Sequence, residues 1–380
     1  MHLLDALKGL IAWTPLGLPA FLFVITVVVF FHELGHFLVG RWCGVRVDVF
    51  SVGFGREILG FTDRRGTRWK LGWIPVGGYV KFAGDADAAS TPDRDAAEHM
   101  SAEERAQALP FKPVGQRAAV AAAGPAANFL LAIVMLTGLL LYSGRTVIAP
   151  LIGPVTAGSP AAAAGLKPGD LVTGIDGAPI TDFKQLPEII TLSGGQTLTF
   201  TIRRAGHEMT LPVTPELTRA RDLLGNMSER VMIGVGPSPD AAITTERYGL
   251  DEAVVAACGE TWNIVKMTIL GVAQILGGHG SADQLRGPAG IAQMTGQVAH
   301  FGFLALLNLV AVLSVSIGLA NLFPIPLLDG GHLLYYGCEA VLGRPLGARA
   351  QEVGFRLGLV LVLGLMLLST WNDLARLNLF

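Results

Sequence analysis

Two histidines and a glutamate occur together in an apolar stretch near the start of the chain. The run HELGH places His32 and His36 four positions apart, with Glu33 next to the first of them. Residues at positions i and i+4 share one face of an α-helix, so the two imidazoles can bind the same ion while the carboxylate lies beside it. The spacing therefore predicts a metal site with His32 and His36 as ligands.

The surrounding sequence is long and apolar enough to cross a membrane. From Leu16 to Gly40 the chain has about 25 residues, and about 20 suffice for a helix to cross the ~30 Å hydrocarbon core of a bilayer. A charged side chain at mid-membrane costs at least ~2.5 kcal/mol, so ionisable residues there need partners. A hydrogen-bonded core histidine, or a chance match to the motif, is the plain alternative. Three ionisable groups on one buried face favour a divalent cation, which offsets their desolvation.

The composition is that of a membrane protein. Of the 380 residues, 51% are hydrophobic and only 15% are charged, whereas soluble domains carry about 25% charged residues. The net charge of −2 argues against a nucleic-acid partner. The cysteines Cys43, Cys258 and Cys338 are far apart and form no CxxC pair, so the sequence indicates neither a disulfide framework nor a thiolate zinc site.

Three further apolar stretches predict membrane spans at about residues 117–142, 301–323 and 354–370. Basic residues are concentrated beside the membrane ends of the first long loop and of the connection between the third and fourth spans. By the positive-inside rule these loops are cytoplasmic, which places both termini and residues 144–300 on the extracytoplasmic side. The basic residues concerned are Arg41, Arg46, Lys112, Arg117, Arg344 and Arg349.

The loop between the first two spans has two parts. Residues 47–84 alternate β-branched and aromatic residues with glycines, which predicts a curled sheet of short strands on the cytoplasmic side of the membrane. Residues 85–110 are small, polar and charge-rich, which is typical of a linker that ends in a short surface helix.

The extracytoplasmic segment predicts a compact β-rich domain. Residues 158–215 alternate as short strands around turn signals, with a helix near Asp182 to Leu192. The run AAAAGLKPGDLVTGIDGAPI resembles a PDZ domain of the bacterial protease type. The resemblance implies that the domain binds extended peptides or chain ends by strand addition. A plain β-rich spacer is the alternative.

Residues 246–276 follow this domain with apolar residues at helical spacing. We expect an amphipathic helix on the outer membrane surface or on the PDZ domain. A fifth span is disfavoured because Glu260, Asn263 and Lys266 interrupt the apolar run.

A catalytic zinc ion usually has three protein ligands, so one ligand is missing from the HELGH pair. The run NLFPIPLLDGGH, from Asn321 to His332, ends the third span and contains Asp329. Its prolines break the helix, and irregular backbone at membrane depth is tolerated only inside protein or beside a water-filled cavity. We expect Asp329 to be the third ligand. The alternatives are a role for Asp329 as helix N-cap, which ligation does not exclude, and ligation by His332 instead.

These motifs together resemble the site-two protease family, and within it the bacterial intramembrane metalloproteases of the RseP type. The resemblance rests on HELGH, on GPAAN in the second span, on the PDZ-like insert and on NLFPIPLLDGGH, and it covers nearly the whole chain. It implies that His32, His36 and Asp329 bind Zn²⁺ and that Glu33 is the general base. It also implies that Asn321 holds the substrate backbone.

The resemblance further implies that two glycine-containing strands pair with an unwound substrate. They are the strand with Gly53, Phe54 and Gly55 and the strand at residues 77–82. Close relatives often have two tandem PDZ domains, whereas this chain has room for one. A size filter for substrates that requires two domains is therefore in doubt for this chain.

By resemblance, the protein is an intramembrane zinc metalloprotease of the bacterial inner membrane, with its active site toward the cytoplasm. The implied substrates are single-pass membrane proteins, such as anti-sigma factors already trimmed by another protease, or leftover signal peptides. Other classes are a scaffold with a structural metal, a zinc or proton transporter, and a zinc peptidase for soluble substrates. A structural zinc usually has four protein ligands, often cysteines, and a transporter usually shows repeats and more spans, neither of which the sequence contains.

The predicted fold is therefore a polytopic α-helical membrane protein of about four transmembrane helices, with a cytoplasmic-side β region and one inserted extracytoplasmic PDZ domain. The predicted segments are the HELGH span (1–41), the β region and linker (42–116), the second span (117–143), the PDZ domain (144–245), the surface helix and connector (246–300), the third span with the LDG motif (301–332), and a short helix with the fourth span (333–380).

Overall fold

A computed structural model describes residues 2–85, 99–221, 227–277 and 285–376. The chain divides into two compact units. The HELGH and LDG motifs lie in unit 1, and the PDZ-like sequence lies in unit 2. Unit 1 comprises Met1–Thr137, Ala256–Val265 and Arg286–Phe380, and unit 2 comprises Gly138–Val255 and Lys266–Leu285.

The secondary structure combines helices and strands of very different lengths, from 4 to 41 residues in the helices and from 2 to 16 residues in the strands. In chain order the helices are α1 (His2–Trp42), α2 (Ala102–Gln107), α3 (Val114–Ser143), α4 (Pro160–Ala163), α5 (Gln185–Leu192), α6 (Leu250–Leu276), α7 (Pro288–Ala299), α8 (Phe303–Leu322), α9 (Asp329–Leu342) and α10 (Ala348–Arg376). The strands are β1 (Val47–Thr62), β2 (Arg68–Phe82), β3 (Arg145–Ile148), β4 (Ile152–Val155), β5 (Leu171–Ile175), β6 (Ala178–Pro179), β7 (Leu198–Arg204), β8 (His207–Val213), β9 (Glu216–Arg221), β10 (Met227–Met232), β11 (Val235–Pro237) and β12 (Ile243–Glu246).

Five helices in the described ranges are long and apolar enough to cross a membrane. Four of them, α1, α3, α8 and α10, coincide with the predicted spans and have peak mean hydropathies between 2.0 and 2.4. The fifth is α6, whose peak mean hydropathy is only 1.2. Length and composition thus agree with a polytopic membrane protein, while the surface location of α6 stays a prediction.

Apolar side chains of three helices form one core in unit 1. Val24 and Val28 of α1 are fully buried against Leu131 of α3 and against Leu309 and Val310 of α8. Burying a Val or Leu side chain stabilises a fold by about 1.5–3 kcal/mol in water, but in lipid the gain comes from close packing instead. This core holds α1, α3 and α8 together on the N-terminal side of the HELGH motif in α1.

The β region of unit 1 is one strongly bulged pair of strands, β1 and β2, which folds back on itself. Residues 49–52 of β1 pair with residues 78–81 of β2 and also with residues 68–71 of the same strand, so they lie between these two segments. The curled sheet predicted from the glycine-rich pattern is present, but the prediction of short strands is wrong, because β1 and β2 have 16 and 15 residues and curl through bulges instead. Phe50 packs against Phe37 of α1 and against Trp69, which fixes the sheet to the HELGH helix.

The linker after the sheet is described only in part. Residues 86–98 lie outside the described ranges. The predicted short surface helix is α2, which begins with a capping box between Ser101 and Glu104 and has no buried residue.

Unit 2 contains a four-stranded sheet in the order β6-β5-β7-β8, with smaller strand pairs around it. Phe200 and Ile202 of β7 are fully buried, as are Val172 of β5 and Val213 of β8, and they pack against Leu186 of α5. A β-rich domain with one helix near the predicted position agrees with the sequence analysis. The PDZ assignment itself stays a prediction.

Candidate metal centre

The three ligands proposed from the sequence meet in unit 1. His32 and His36 lie on α1, and their Nε2 atoms are 3.2 Å apart. The carboxylate of Asp329 lies 3.2 Å from His32 Nε2 and 3.4 Å from His36 Nε2. Ligand atoms at ~2.0–2.1 Å from a tetrahedral zinc ion are ~3.3 Å from one another. The triangle formed by two imidazoles and one carboxylate therefore has the size that a zinc ion requires.

The protonation state of His36 is set by a backbone carbonyl of α3. Its Nδ1 lies 2.8 Å from the carbonyl oxygen of Val120, which can only accept a hydrogen bond. Nδ1 therefore carries the proton, and the Nε2 lone pair faces the other two ligands. Metal-bound histidines usually donate their other N–H in this way, which fixes both the tautomer and the ring orientation.

Asn128 of α3 occupies the corresponding position beside His32. Its amide Nδ2 lies 3.2 Å from His32 Nδ1, while its Oδ1 is buried and accepts no hydrogen bond within the described ranges. The two ends of an amide have nearly the same shape, and their assignment follows from the hydrogen bonds they make. A half-turn of this amide makes Oδ1 the acceptor of an Nδ1–H proton, which leaves the His32 Nε2 lone pair free for a metal ion.

Asp329 also shows the signature of a ligand. Its Oδ2 is buried, and the group 3.2 Å from it, His32 Nε2, has no proton to donate when it binds a metal ion. A buried carboxylate oxygen without a donor is costly unless a cation faces it. The donor set of two histidines and one carboxylate is one that zinc uses in catalytic sites, with a position left open for water.

Two glycines allow α1 and α3 to approach closely at the site. A Cβ atom on Gly124 of α3 would lie 2.2 Å from His36 Nε2 and 2.8 Å from His32 Cε1. A Cβ atom on Gly35 of α1 would lie 2.3 Å from the carbonyl oxygen of Ala123. Small residues commonly let transmembrane helices pack this closely. The glycine of the GPAAN motif thus provides the space in which the imidazoles lie.

A non-helical turn brings Asp329 to the histidines. α8 ends at Leu322, and the turn that follows contains Pro324 and Pro326, which cannot continue a helix. Leu327 has a φ of 108°, a conformation that is strained for a bulky side chain. A constrained turn between two helices therefore brings the carboxylate toward the histidines.

The alternative role of Asp329 as a helix N-cap is wrong. α9 begins at Asp329 itself, its N-cap residue is Leu328, and no side chain caps this end. The reason is the close packing of the following glycines on the turn. A Cβ atom on Gly330 would lie 2.2 Å from the carbonyl oxygen of Phe323. The helix can therefore begin one residue earlier than expected, with the carboxylate directed at the histidines.

Glu33 lies beside the three ligands in a cavity of about 200 Å³. The backbone N–H of Val80 in β2 donates a hydrogen bond to its carboxylate. Gly78 permits this contact, because a Cβ atom there would lie 3.2 Å from Glu33 Cγ and 2.7 Å from the carbonyl oxygen of Ser51. A general base must lie within hydrogen-bond reach of the proton it takes, and Glu33 shares the cavity in which that proton would be released.

The remaining predicted residues divide into two groups. Asn321 and the rival ligand His332 both line the cavity, but His332 is not part of the cluster of three ligating groups. Gly53, Phe54 and Gly55 do not line it, and Phe54 pairs with Ile74 inside the curled sheet. The ring of Phe54 stacks on Tyr79, with centroids 6.0 Å apart, and Tyr79 does line the cavity.

The strand that borders the cavity is therefore the second of the two predicted strands. Gly78, Tyr79, Val80 and Phe82 of β2 line it. On one side this part of β2 pairs with β1, and on the other side the Val80 N–H points to Glu33. A strand segment that pairs with another strand on one side only can accept a further extended chain on the other.

Sequence reasoning missed the groups on α3 that contact the histidines and the cavity. They are the carbonyl of Val120, the amide of Asn128 and the guanidinium of Arg117. Asn128 carried a signal, since a polar amide in an apolar span needs a buried partner. A backbone carbonyl carries no signal of residue type at all.

Long apolar helices around a ligand triangle, with a glutamate beside it, define the class of membrane metalloproteases. Comparison with known proteins agrees with this class. The family model described as Peptidase family M50 matches residues 20–365. The Agrobacterium fabrum protein Atu1380, which carries a zinc metalloprotease name, is 48% identical over 94% of this chain and 95% of its own length.

A second relative is the Caulobacter vibrioides protein named Metalloprotease MmpA. It is 40% identical to this chain, and the match covers 96% of both proteins. The chain therefore belongs to peptidase family M50, and it is a zinc metalloprotease.

Proposed function

We propose that this protein hydrolyses peptide bonds within the transmembrane segments of single-pass membrane proteins. The observation that carries the proposal is the location of the ligand triangle. His32, His36 and Glu33 lie on a helix that is long and apolar enough to cross a membrane, and other such helices pack around them. A peptidase for soluble substrates has no need of a site at this depth.

In the proposed site, His32, His36 and Asp329 hold the zinc ion. When bound, zinc supplies Lewis-acid activation of a water molecule and of the scissile carbonyl. Glu33 accepts the proton of the attacking water and can return it to the leaving amine. The Val120 carbonyl keeps His36 in the tautomer that ligation requires, and the Asn128 amide can accept the Nδ1–H of His32 in the same tautomer.

A transmembrane substrate must unwind before cleavage, because a helix uses its own peptide groups in its hydrogen-bond ladder. Among the described residues, residues 78–80 of β2 pair with another strand on one side only. This edge supports the proposal that the unwound substrate is stabilised by strand pairing. Asn321, which lines the same cavity, is placed to donate to a substrate carbonyl. Gly53, Phe54 and Gly55 support the pairing strand from behind through the Phe54–Tyr79 contact.

Unit 2 has a groove that suits the proposed PDZ role. The groove lies between α5 and residues 231–235 and is lined mainly by apolar side chains, including Phe183, Leu186, Ile190, Ile233 and Val235. An extended chain end that paired with the segment at residues 231–235 would place alternate side chains in the groove. We expect the domain to bind or exclude the ends of substrates that another protease has trimmed, such as anti-sigma factors or signal-peptide remnants. By the positive-inside rule, the basic loops support an extracytoplasmic location for this domain, in a protein of the bacterial inner membrane whose zinc site lies toward the cytoplasm.

The test is cleavage of a tagged single-pass protein in membranes by the wild type and by Glu33→Gln, with zinc content measured in both. We expect Glu33→Gln to keep its zinc and lose cleavage by several orders of magnitude, because the proton acceptor is gone while the ligands remain. Glu352→Gln, at an exposed position of α10, is the matched control and should cleave as the wild type does. Equal cleavage by Glu33→Gln and the wild type would exclude Glu33 as the base.

A second comparison tests the membrane substrate itself. Glycine and proline residues in the substrate span weaken its helix, so they should speed cleavage relative to a leucine- and alanine-rich span. If both spans are cut at the same rate, or only soluble peptides are cut, the intramembrane proposal is wrong even though the chain is a zinc metalloprotease.

A further inference from the structure

A partly buried cation that lines the cavity has no part in the mechanism above. Arg117 lies in the first turns of α3 and lines the cavity of the ligand triangle, with a side chain only 13% exposed. Its Nη2 donates to Glu339 Oε1 at 2.5 Å, and its Nε donates to the carbonyl oxygen of Lys112 at 2.9 Å. Its Cζ atom lies 4.9 Å from the ring centre of Tyr336.

Two of the three partners of the guanidinium, Glu339 and Tyr336, belong to α9. Glu339 is only 15% exposed, and Tyr336 lies one turn before it on the same helix. Desolvation makes a buried ion pair expensive to form, but removal of one partner is worse because it leaves an uncompensated charge. Such pairs are best attested where they set a register between two elements.

The two helices joined by Arg117 supply complementary parts of the metal site. α3 provides Val120 and Asn128, which orient the two histidines, and α9 begins with the carboxylate of Asp329. Six residues with no helical structure of their own separate α8 from α9. The turn brings Asp329 toward the histidines, and contacts made by α9 hold the helix that begins with it. Apart from the contacts of Asp329, the ion pair that α9 makes among the described residues is the one between Glu339 and Arg117.

We infer that Arg117, with Glu339 and Tyr336, is a positioning residue that seats α9 on α3 and thereby places Asp329 as the third zinc ligand. The inference rests on the ligand set given under Proposed function. It assigns Arg117 no contact with the reacting atoms. The guanidinium acts only through the helix that it holds.

The experiment measures zinc affinity of the purified full-length protein in detergent by competition with a chelator. The variants are Arg117→Gln, Glu339→Gln and the exchange variant Arg117→Glu with Glu339→Arg. We expect each single variant to bind zinc about 10- to 100-fold more weakly, the range seen when groups that orient a metal ligand are removed. The exchange variant should recover most of this loss. Arg356→Gln, which breaks an exposed ion pair with Glu352 on α10, is the matched control and should bind zinc normally.

A second readout separates positioning from general destabilisation. Zinc that binds the folded state raises the unfolding temperature of a protein, and the increase grows with the logarithm of the zinc affinity. A merely structural pair would lower the unfolding temperature equally with and without zinc. A positioning pair also reduces the zinc-induced increase in that temperature.

Asp329→Asn, measured in parallel, distinguishes the possible failures. If Asp329→Asn binds zinc normally, the ligand set is wrong and the inference falls with it. If Asp329→Asn loses affinity while Arg117→Gln and Glu339→Gln keep it, the ligand set stands and only the positioning role is overturned. An exchange variant that is no better than the single variants would also overturn it.

Discussion

At the scale of single residues, the site depends on which nitrogen of each histidine carries a proton. The Val120 carbonyl settles this for His36, because it can only accept a hydrogen bond. Asn128 has both a donor and an acceptor, so it can serve His32 in either tautomer. Ligation of a metal ion through His32 Nε2 would require the tautomer in which Asn128 accepts. This difference makes Asn128 the more informative residue to change.

We expect Asn128→Leu to weaken zinc binding by about 10- to 100-fold, because His32 loses the group that orients its ring. Asn128→Asp should bind zinc at least as tightly as the wild type, since a carboxylate is a stronger acceptor for the Nδ1–H group. Chelator competition measures both affinities.

Thr137→Val is a suitable control for the Asn128 variants. Thr137 is a buried polar residue on the same helix, and it contacts none of the three ligands in the described structure. Equal zinc affinity in Asn128→Leu and Thr137→Val would contradict a role of the amide in orienting His32.

At the scale of elements, the contact between α1 and α3 depends on glycines. Gly124 faces both imidazoles, whereas a Cβ atom on Gly138 of the same helix would meet no atom within 4 Å. Glycine to alanine normally stabilises the interior of a helix by about 0.5–1 kcal/mol. The same substitution should therefore have opposite effects at these two positions.

We expect Gly124→Ala to lose most of its bound zinc and to unfold at lower temperature, since the added methyl group would lie only 2.2 Å from His36 Nε2. Gly138→Ala should keep its zinc and be as stable as the wild type or slightly more so. Zinc content and thermal unfolding of the two variants decide the matter. Normal zinc content in Gly124→Ala would show that the helices can separate without cost to the site.

The curled sheet is held to the end of α1 by a carboxylate in the β1–β2 turn. Asp63 accepts hydrogen bonds from Arg41 Nη2 at 2.7 Å and from the backbone N–H groups of Arg65 at 2.8 Å and Thr67 at 3.0 Å. Partial burial raises the pKa of Asp63, but these donors and Trp69 Nε1 outweigh it and lower the pKa from 3.8 to about 2. A lowered pKa means that the ionised carboxylate stabilises the folded sheet.

This stabilisation is fully present above the unfolded pKa, near pH 4, and is lost as the pH falls through about 2. We therefore expect Asp63→Asn to increase hydrogen exchange of the backbone in β1 and β2 near neutral pH. After correction for intrinsic exchange rates, the difference from the wild type should shrink between about pH 4 and pH 2. A difference that stays constant over this range would mean that the charge of Asp63 does not matter.

At the scale of the whole molecule, the number of spans follows from the directions of the helices. The HELGH motif lies near the C-terminal end of α1, and it contacts Asp329, which follows the C-terminal end of α8. The earlier parts of both helices pack in the same core. α1 and α8 therefore run in the same direction, which requires an odd number of crossings between them. α3 is one crossing. If α6 were another, α7 would have to cross back, and its 12 residues extend only about 18 Å.

The geometry of the site thus favours a surface location for α6 despite its length. The native Cys258 on α6 is exposed and offers a direct test. In a variant with Cys43→Ser and Cys338→Ser, we expect Cys258 to react with a membrane-impermeant maleimide in intact spheroplasts. In a chain without other cysteines, Ser193→Cys in unit 2 should also react, and Glu57→Cys in the curled sheet should react only after lysis. Protection of Cys258 while Ser193→Cys is labelled would indicate a fifth span.

The amino-acid sequence by itself determined the parts of this protein that depend on local periodicity and composition. The spans at α1, α3, α8 and α10 follow from apolar length, and the pairing of His32 with His36 follows from the helical repeat. The curled sheet follows from glycines that interrupt β-branched and aromatic residues. Asp329 was identifiable because a lone carboxylate after an apolar span needs a partner.

The tertiary structure decided which distant groups complete the site. The partners of His36 and His32 on α3 are 84 and 96 residues away in the chain, and the Arg117–Glu339 pair is separated by 222 residues. With 28 basic and 30 acidic residues in the sequence, composition does not select that pair, and a backbone carbonyl such as that of Val120 looks the same at every position. The residue at which α9 begins and the pairing of β2 residues 78–81 with one strand only also depended on packing. Helical and strand periodicities act over a few residues, whereas these contacts exist only once the helices have come together.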